Sequence, residues 1–397
     1  MVPLPLLKNS LAFRLILLMG AVSLFGDIIY EGSRSVAGPY LLYLGASAFA
    51  VAFTAGFGEF IGYAVRLASG YAADRTRSYW TFAILGYLMI GAIPLLVFAR
   101  AWEAAAVLII IERLGKGIRS PAKDTILSHA SHQVGRGWGF GIHEALDQIG
   151  AVLGPLIFAA SLAVTGVYEG GFALLGLPFI LLIAALFLAY RNVPSPVLLE
   201  EAGRTQHSVE SDRLSRLMLP YGTFTILTMA GFAVFPLMAY HFSTASIVPE
   251  VQIPVFYAIA MAADALFALA VGRLYDRKGV SVLVVVPLAS IPVTFLAFSG
   301  GYYFALAGAI LWGLSMGAQE TILRAALADL TSISTRGTAY GIFNALYGGA
   351  WFAGSLVLGW LYEMNLLLLI GYAVLMQLAA LGAFVWLQKS AQPSPHP

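Results

Sequence analysis

Apolar runs long enough to cross a lipid bilayer recur along almost the whole chain. They fall at roughly 11–43, 46–69, 80–101, 103–126, 137–164 and 171–190, and again at roughly 217–243, 253–274, 280–299, 302–328, 337–362 and 365–388. A spanning helix needs about 20 mostly apolar residues, so each run predicts one transmembrane helix. One long polar stretch, Arg191 to Arg216, separates the two sets. It contains Pro194, Pro196, Glu200, Glu201, Arg204, Glu210, Asp212 and Arg213 and reads as a solvated linker. The predicted organisation is a six-helix half over 1–190, a linker over 191–216, a second six-helix half over 217–390 and a disordered tail over 391–397. The first apolar run starts near Leu11 and continues straight into further helix, so it reads as a retained span rather than a cleaved leader.

Composition narrows the class. Of 397 residues, 60% are hydrophobic and only 11% charged, with a mean hydropathy of +0.84. Soluble proteins carry about a quarter of their residues as charges; most of this chain must therefore face lipid. The net charge of +2, with no basic patch, argues against a nucleic-acid or acidic partner. The absence of cysteine excludes disulfides, thiol catalysis and cysteine-ligated metals. With both termini placed inside, inner loops and helix ends take Lys8, Arg14, Arg75, Arg77, Lys123, Arg136, Arg191, Arg204, Arg213, Arg216, Arg273, Arg277, Lys278, Arg336 and Lys389. The outer loops take Arg100 with Glu103, Glu169 and Glu250. That asymmetry follows the positive-inside rule and predicts a multi-pass plasma-membrane protein, at the cell inner membrane, with both termini cytoplasmic.

The two halves repeat. Gly70, Asp74 and Arg75 close the second run in a G-x-x-x-D-R pattern, and Gly272, Asp276 and Arg277 close the eighth, 202 residues later. Arg136-Gly137 with Gly141-Ile142 opens the fifth run, and Arg336-Gly337 with Gly341-Ile342 opens the eleventh, 200 residues later. A parallel six-plus-six repeat is the signature of a two-lobed transporter. On these motifs the chain resembles the major facilitator superfamily. The family's loop motif is G-x-x-x-D-R-x-G followed by a basic pair. Arg77, Ser78 and Tyr79 replace the end of its first copy; the second keeps Gly279 but has Val280 and Ser281. The resemblance implies an all-α polytopic membrane protein, with twelve transmembrane helices in two pseudo-symmetric six-helix lobes. A carboxylate at an inner helix end can meet the positive N-terminus of a facing helix, which pairs Asp74 with the start near Gly337 and Asp276 with that near Gly137.

Two further motifs bear on branch and coupling. Gly141, Gly150, Gly154 and Pro155 match the leading positions of the pattern G-x₈-G-x₃-G-P-x₂-G-G, with Phe158 and Ala159 in place of the final pair. This resembles the drug/proton antiporter branch, although small residues at these spacings also serve as a generic tight helix crossing. Arg113-x-x-x-Gly117 resembles the family's R-x-x-Q-G motif with Lys116 at the glutamine position; in that family the arginine is associated with proton coupling.

Ionisable residues inside a membrane are costly and mark functional candidates. Asp27, Glu31 and Arg34 are spaced to share one helical face. Glu112, Lys116, Arg119 and Lys123 form a stripe on the fourth run, with Arg113 adjoining. Glu59 lies in the second run, and His143, Glu144 and Asp147 lie in the fifth. Either Asp27 or Glu31 is the expected titrating group, with Arg113 or Lys116 as counter-ion; the alternative is a static ion network fixing helix packing. The second half is sparser in charge and rich in aromatics. These observations predict a secondary active transporter, a proton-coupled antiporter exporting a small organic solute by alternating access. Protons, solute and membrane lipid are its partners, and it acts as a monomer without cofactor. A uniporter or proton symporter of an anionic metabolite is the alternative favoured by Arg34, Lys116 and Arg119. A more remote one is an intramembrane metal hydrolase, prompted by His143, Glu144 and Asp147, although the usual second histidine is absent.

Overall fold

Helices follow one another at every predicted place. A computed structural model describes residues 11–134, 136–196, 214–331 and 336–391; the expectations for the linker over 197–213 and the tail over 392–397 lie outside these residues. The first six spans are Leu11–Tyr43, Ala48–Thr76, Tyr79–Phe98, Trp102–Val134, Arg136–Thr165 and Tyr168–Asn192. The second six cover 214–244, Ile253–Lys278, 279–297, 302–330, Arg336–Met364 and Leu366–Ala391. Helix is the forced solution, because a backbone in lipid must satisfy its own N–H and C=O groups.

Among the described residues, nine stretches are long and apolar enough to cross a membrane by composition alone, and one of them, Glu250–Ala297, holds two helices. The two remaining spans depart for opposite reasons. The fourth carries Glu112, Arg113, Lys116 and Arg119 within its apolar run. The tenth is interrupted by a π-helical turn at Gln319–Leu323. Pro39, Pro121, Pro155, Pro220 and Pro292 stand inside helices, as spanning helices tolerate when neighbours satisfy the freed carbonyls. The third span relaxes into 3₁₀ turns at Met89–Ala92 and Pro94–Phe98.

The loop motif has a backbone explanation. Arg77, just past the second span, has φ +52°, and Gly279, just past the eighth, has φ +58°. Both copies thus turn through the half of φ space that side chains disfavour. Glycine meets that demand in the second copy; Arg77 meets it under strain in the first.

The chain separates into two compact units. The first comprises Met1–Val36 and Ala64–Thr205. Its buried links include Trp80 Nε1 donating to the Val193 carbonyl at 2.9 Å and Phe158 meeting Phe172 edge-on at 5.0 Å. The second comprises Ala37–Tyr63 and Gln206–Pro397. There the helix from Ala48 lies along the eleventh span. A Cβ on Gly56 would stand 2.7 Å from Ser355 Cβ, while Phe53, Phe57 and Phe60 surround Phe352 at ring distances of 5.5–5.9 Å. The aromatics anticipated for this half are buried packing residues. Phe232, Phe235 and Tyr257 all gather on Trp312, which donates to the Ala233 carbonyl at 2.9 Å.

Candidate functional site

The site is assembled within the first unit from the first, fourth and fifth spans. The fifth-span glycines explain how. A Cβ on Gly150 would stand 2.5 Å from the Leu24 carbonyl oxygen and 2.8 Å from Asp27 Cβ, and one on Gly154 would stand 2.9 Å from the Gly32 nitrogen. The first and fifth helices therefore touch backbone to backbone, a contact that only small residues permit. Gly141 has nothing within 4 Å of the equivalent position and takes no part in the crossing.

That crossing carries Asp147, three residues before Gly150, to Asp27. The two carboxyl groups are within hydrogen-bonding contact. A carboxylate can only accept, so two carboxyl groups hydrogen-bond to each other only when one of them is protonated. Asp27 also takes a hydrogen bond from the Tyr30 side chain and is 5% exposed. Glu31 turns to Arg34 instead, at 3.8 Å. One turn earlier on the first helix, Ser23 bridges to His143 Nε2 at 2.8 Å and to the Tyr87 side chain. A polar string thus runs beside the carboxyl pair. Glu144 points to the exposed face and accepts from Gln148 at 3.3 Å.

The fourth span supplies the positive charge. Glu112, 1% exposed, is shared by Arg113 at 3.5 Å and Arg119 at 3.4 Å. Arg113, Lys116 and Arg119 then approach the Tyr30 ring at 5.7, 4.4 and 5.7 Å. Lys116 lies within electrostatic reach of Asp27 and Asp147, and Lys123 of Asp147. Of the stripe anticipated on this helix, Lys116 and Arg119 thus gather around one aromatic ring with the adjoining Arg113, a placement worth about 0.5–2 kcal/mol per well-placed cation.

Glu59 stands elsewhere, in the second unit, in the field of Tyr347. Tyr347 meets Tyr63 edge-on at 5.0 Å and donates to Gln319 Oε1 at 3.5 Å; Tyr63 hydrogen-bonds Arg324, which also neighbours Glu320. The loop-motif residues sit at exposed helix ends. Asp74 is hydrogen-bonded by Tyr79, Arg75 donates to the Tyr71 hydroxyl at 3.4 Å, and Asp276 and Arg277 are exposed. Gly70 and Gly272 have side-chain neighbours only at ordinary distance, Pro121 and Thr321. The pairings expected at Gly337 and Gly137 fall on helix starts whose surroundings are outside the described residues.

Sequence reasoning passed over Ser23, Tyr30 and Tyr87. The first two were within reach, since Ser23, Asp27 and Tyr30 repeat at spacings of four and three on the face that carries the acids.

The family model of the Major Facilitator Superfamily matches residues 16–355. The chain belongs to this superfamily. Among related sequences, an uncharacterized protein of Mycobacterium tuberculosis is 41% identical over 375 residues, spanning 93% of this chain and 92% of the relative. An uncharacterized MFS-type transporter of Methanocaldococcus jannaschii is 25% identical over 88% of each chain. The fold is similar to that of the nucleoside transporter NupG, with a TM-score of 0.75 and 17% identity over 93% of this chain and all of that one. As a major facilitator protein the chain is a secondary transporter of a small molecule embedded in a membrane, not an enzyme, and the hydrolase alternative falls.

Proposed function

We propose that this transporter is a proton-coupled antiporter that exports a small organic solute, with the Asp27–Asp147 pair as the proton carrier. The observation that carries the reading is the close helix crossing at Gly150 that brings Asp147 to the buried Asp27, within electrostatic reach of Lys116. A proton held there is released when a cation or solute displaces it and regained when the site faces the more acidic side. Each state opens to one side only, so proton entry drives solute exit. The export direction is supported by the antiporter-like glycines, two of which make the crossing that brings the carboxyls together. The basic residues at inner loops support a plasma-membrane location with both termini cytoplasmic. In proteoliposomes an inward proton gradient is expected to drive solute out, and Asp27→Asn to abolish the gradient dependence while downhill exchange persists. Gradient-driven transport that survives in both Asp27→Asn and Asp147→Asn overturns the assignment.

The cations around Tyr30 favour a second reading, uptake of an anionic metabolite by symport or uniport. The same vesicles separate the two by the direction of gradient-driven flux, and wild-type flux indifferent to the gradient identifies a uniporter.

A further inference from the structure

In the second unit the Trp312 indole donates to the Ala233 carbonyl at 2.9 Å, and Gln377 Nε2 to the Thr228 carbonyl at 2.8 Å. The Ser290 and Ser355 hydroxyls donate one turn back, to the carbonyls of Val286 and Trp351, at 2.8 and 2.7 Å. Trp351, Gln319 and Ser315 are of the same residue types and none is more than 1% exposed. Yet Trp351 Nε1, Gln319 Nε2 and Ser315 Oγ have no hydrogen-bond partner among the described residues.

These three side chains fall together. The Tyr347 hydroxyl reaches Gln319 Oε1 at 3.5 Å, which sets the tenth span beside the eleventh. Ser315 precedes Gln319 by one turn, and Trp351 follows Tyr347 by one turn. Successive spans run antiparallel, so both steps lead the same way along the pair, on the faces that Gln319 and Tyr347 turn to each other. Trp351 also meets the Tyr347 ring edge-on at 5.8 Å and the Phe232 ring at 6.0 Å. The π-helical turn begins at Gln319, and such bulges gather at functional positions. Buried polar groups without partners are costly and call for a reason. An indole N–H can only donate, and whichever way the Gln319 amide is turned, one of its ends stays open. Ser315, Gln319, Tyr347 and Trp351 carry no charge, so the acceptor they suit is a neutral carbonyl oxygen; a buried carboxylate or phosphate would need a countercharge.

We propose that Trp351, Gln319 and Ser315 form a solute-binding subsite. There an uncharged carbonyl group of the transported solute accepts from Trp351 Nε1 and engages the Gln319 amide and the Ser315 hydroxyl, with the solute's apolar body against the rings of Phe232 and Tyr347. The three side chains are sealed from solvent in this conformation, so the subsite is loaded in another, as alternating access requires. Solute then supplies the hydrogen bonds that the empty protein forgoes. The proposal rests on the transport of a small molecule and names that solute's chemistry; it depends on neither proton coupling nor direction.

The indole N–H groups report on it directly. In full-length protein labelled with ¹⁵N at its seven tryptophans, Trp351→Phe identifies the Trp351 resonance by its loss. Benzamide and acetophenone are expected to move that resonance downfield, saturably. Benzoate, which replaces the neutral carbonyl by a charged group, and ethylbenzene, which lacks it, should leave it in place. Gln319→Leu should weaken benzamide binding by about tenfold. Ser315→Ala should leave the Tm of the empty protein unchanged or raise it, because its hydroxyl has no bond to lose. A Trp351 resonance that neither carbonyl probe moves overturns the proposal, as does one that ethylbenzene or benzoate moves as far. Benzamide affinity undiminished in Gln319→Leu, or a Tm lowered by Ser315→Ala, which marks a structural hydrogen bond, overturns it too. No proton gradient enters this assay. A silent Trp351 therefore refutes the subsite and leaves the Asp27–Asp147 carrier standing, while gradient-independent transport refutes the carrier and leaves the subsite standing.

Discussion

Replacing Gly150 by alanine adds one methyl group at the point where the first and fifth helices touch. Its Cβ would stand 2.5 Å from the Leu24 carbonyl oxygen and 2.8 Å from Asp27 Cβ, whereas ordinary contact begins at 3.4 Å. The backbone carbonyl cannot rotate aside, so the helices must part by about 0.9 Å, the difference between 2.5 and 3.4 Å. A carboxyl–carboxyl hydrogen bond of about 2.6 Å stretched that far leaves the hydrogen-bonding range. Two energies oppose each other. Overpacking a tight contact costs about 1–3 kcal/mol, and alanine gains about 0.5–1 kcal/mol over glycine in a helix. The expected net loss is about 1 kcal/mol, too little to unfold the protein. Gly141→Ala is the matched control, because nothing lies within 4 Å of that position, and it should show only the propensity gain. Infrared difference spectroscopy reads the consequence without a known substrate. The absorption of a buried protonated carboxyl should be present in the wild type, absent in Asp27→Asn, and shifted or lost in Gly150→Ala but unchanged in Gly141→Ala. A Gly150→Ala protein with the wild-type carboxyl band and wild-type Tm would refute the claim that this crossing assembles the pair.

Other expectations follow from single contacts. Glu112→Gln removes the carboxylate shared by two buried arginines; breaking buried pairs on one side costs about 3–5 kcal/mol, so yield and Tm should fall far more than for the exposed Glu144→Gln. Arg77→Gly should raise stability by about 0.5–1 kcal/mol, since a left-handed residue costs about 1–2 kcal/mol against glycine's smaller entropic penalty; Gly279→Ala should lower it, and equal Tm values for both variants would remove the strain argument. In this cysteine-free chain, single cysteines placed between Arg191 and Arg216 should react only with reagents reaching the cytoplasmic side, and labelling from outside would invert the topology.

Much of the fold was legible because lipid imposes one rule on every span: the helices Leu11–Tyr43 and Leu366–Ala391 follow directly from apolar length. The face bearing Asp27, Glu31 and Arg34 was equally readable, since helical period alone sets it. What period cannot supply is a partner on another helix. Asp147 stands 120 residues from Asp27, so Asp27 and Glu31 were indistinguishable until the Gly150 crossing showed which acid meets another and which meets Arg34. Glu144, by contrast, lies three residues from Asp147 and yet faces outward, because the first helix covers only one side of the fifth. Lys116 was visible as a departure from a family motif, but its place over Tyr30 depends on how the fourth span is rotated, which charge patterning does not specify.

The π-helical turn at Gln319–Leu323 carries a different lesson. A π turn accommodates one residue more than an α turn and most often arises as a local bulge near functional positions. The helix on either side keeps its facing, so a relative lacking the bulge would be shorter by a single residue there and unchanged before and after. Excising one residue from this pentapeptide should therefore leave Trp312 and Leu327 packed as they are and withdraw only the local widening that presents Gln319 to Tyr347. An inserted residue, not a substituted one, would then be the heritable unit by which this span acquired its polar contact.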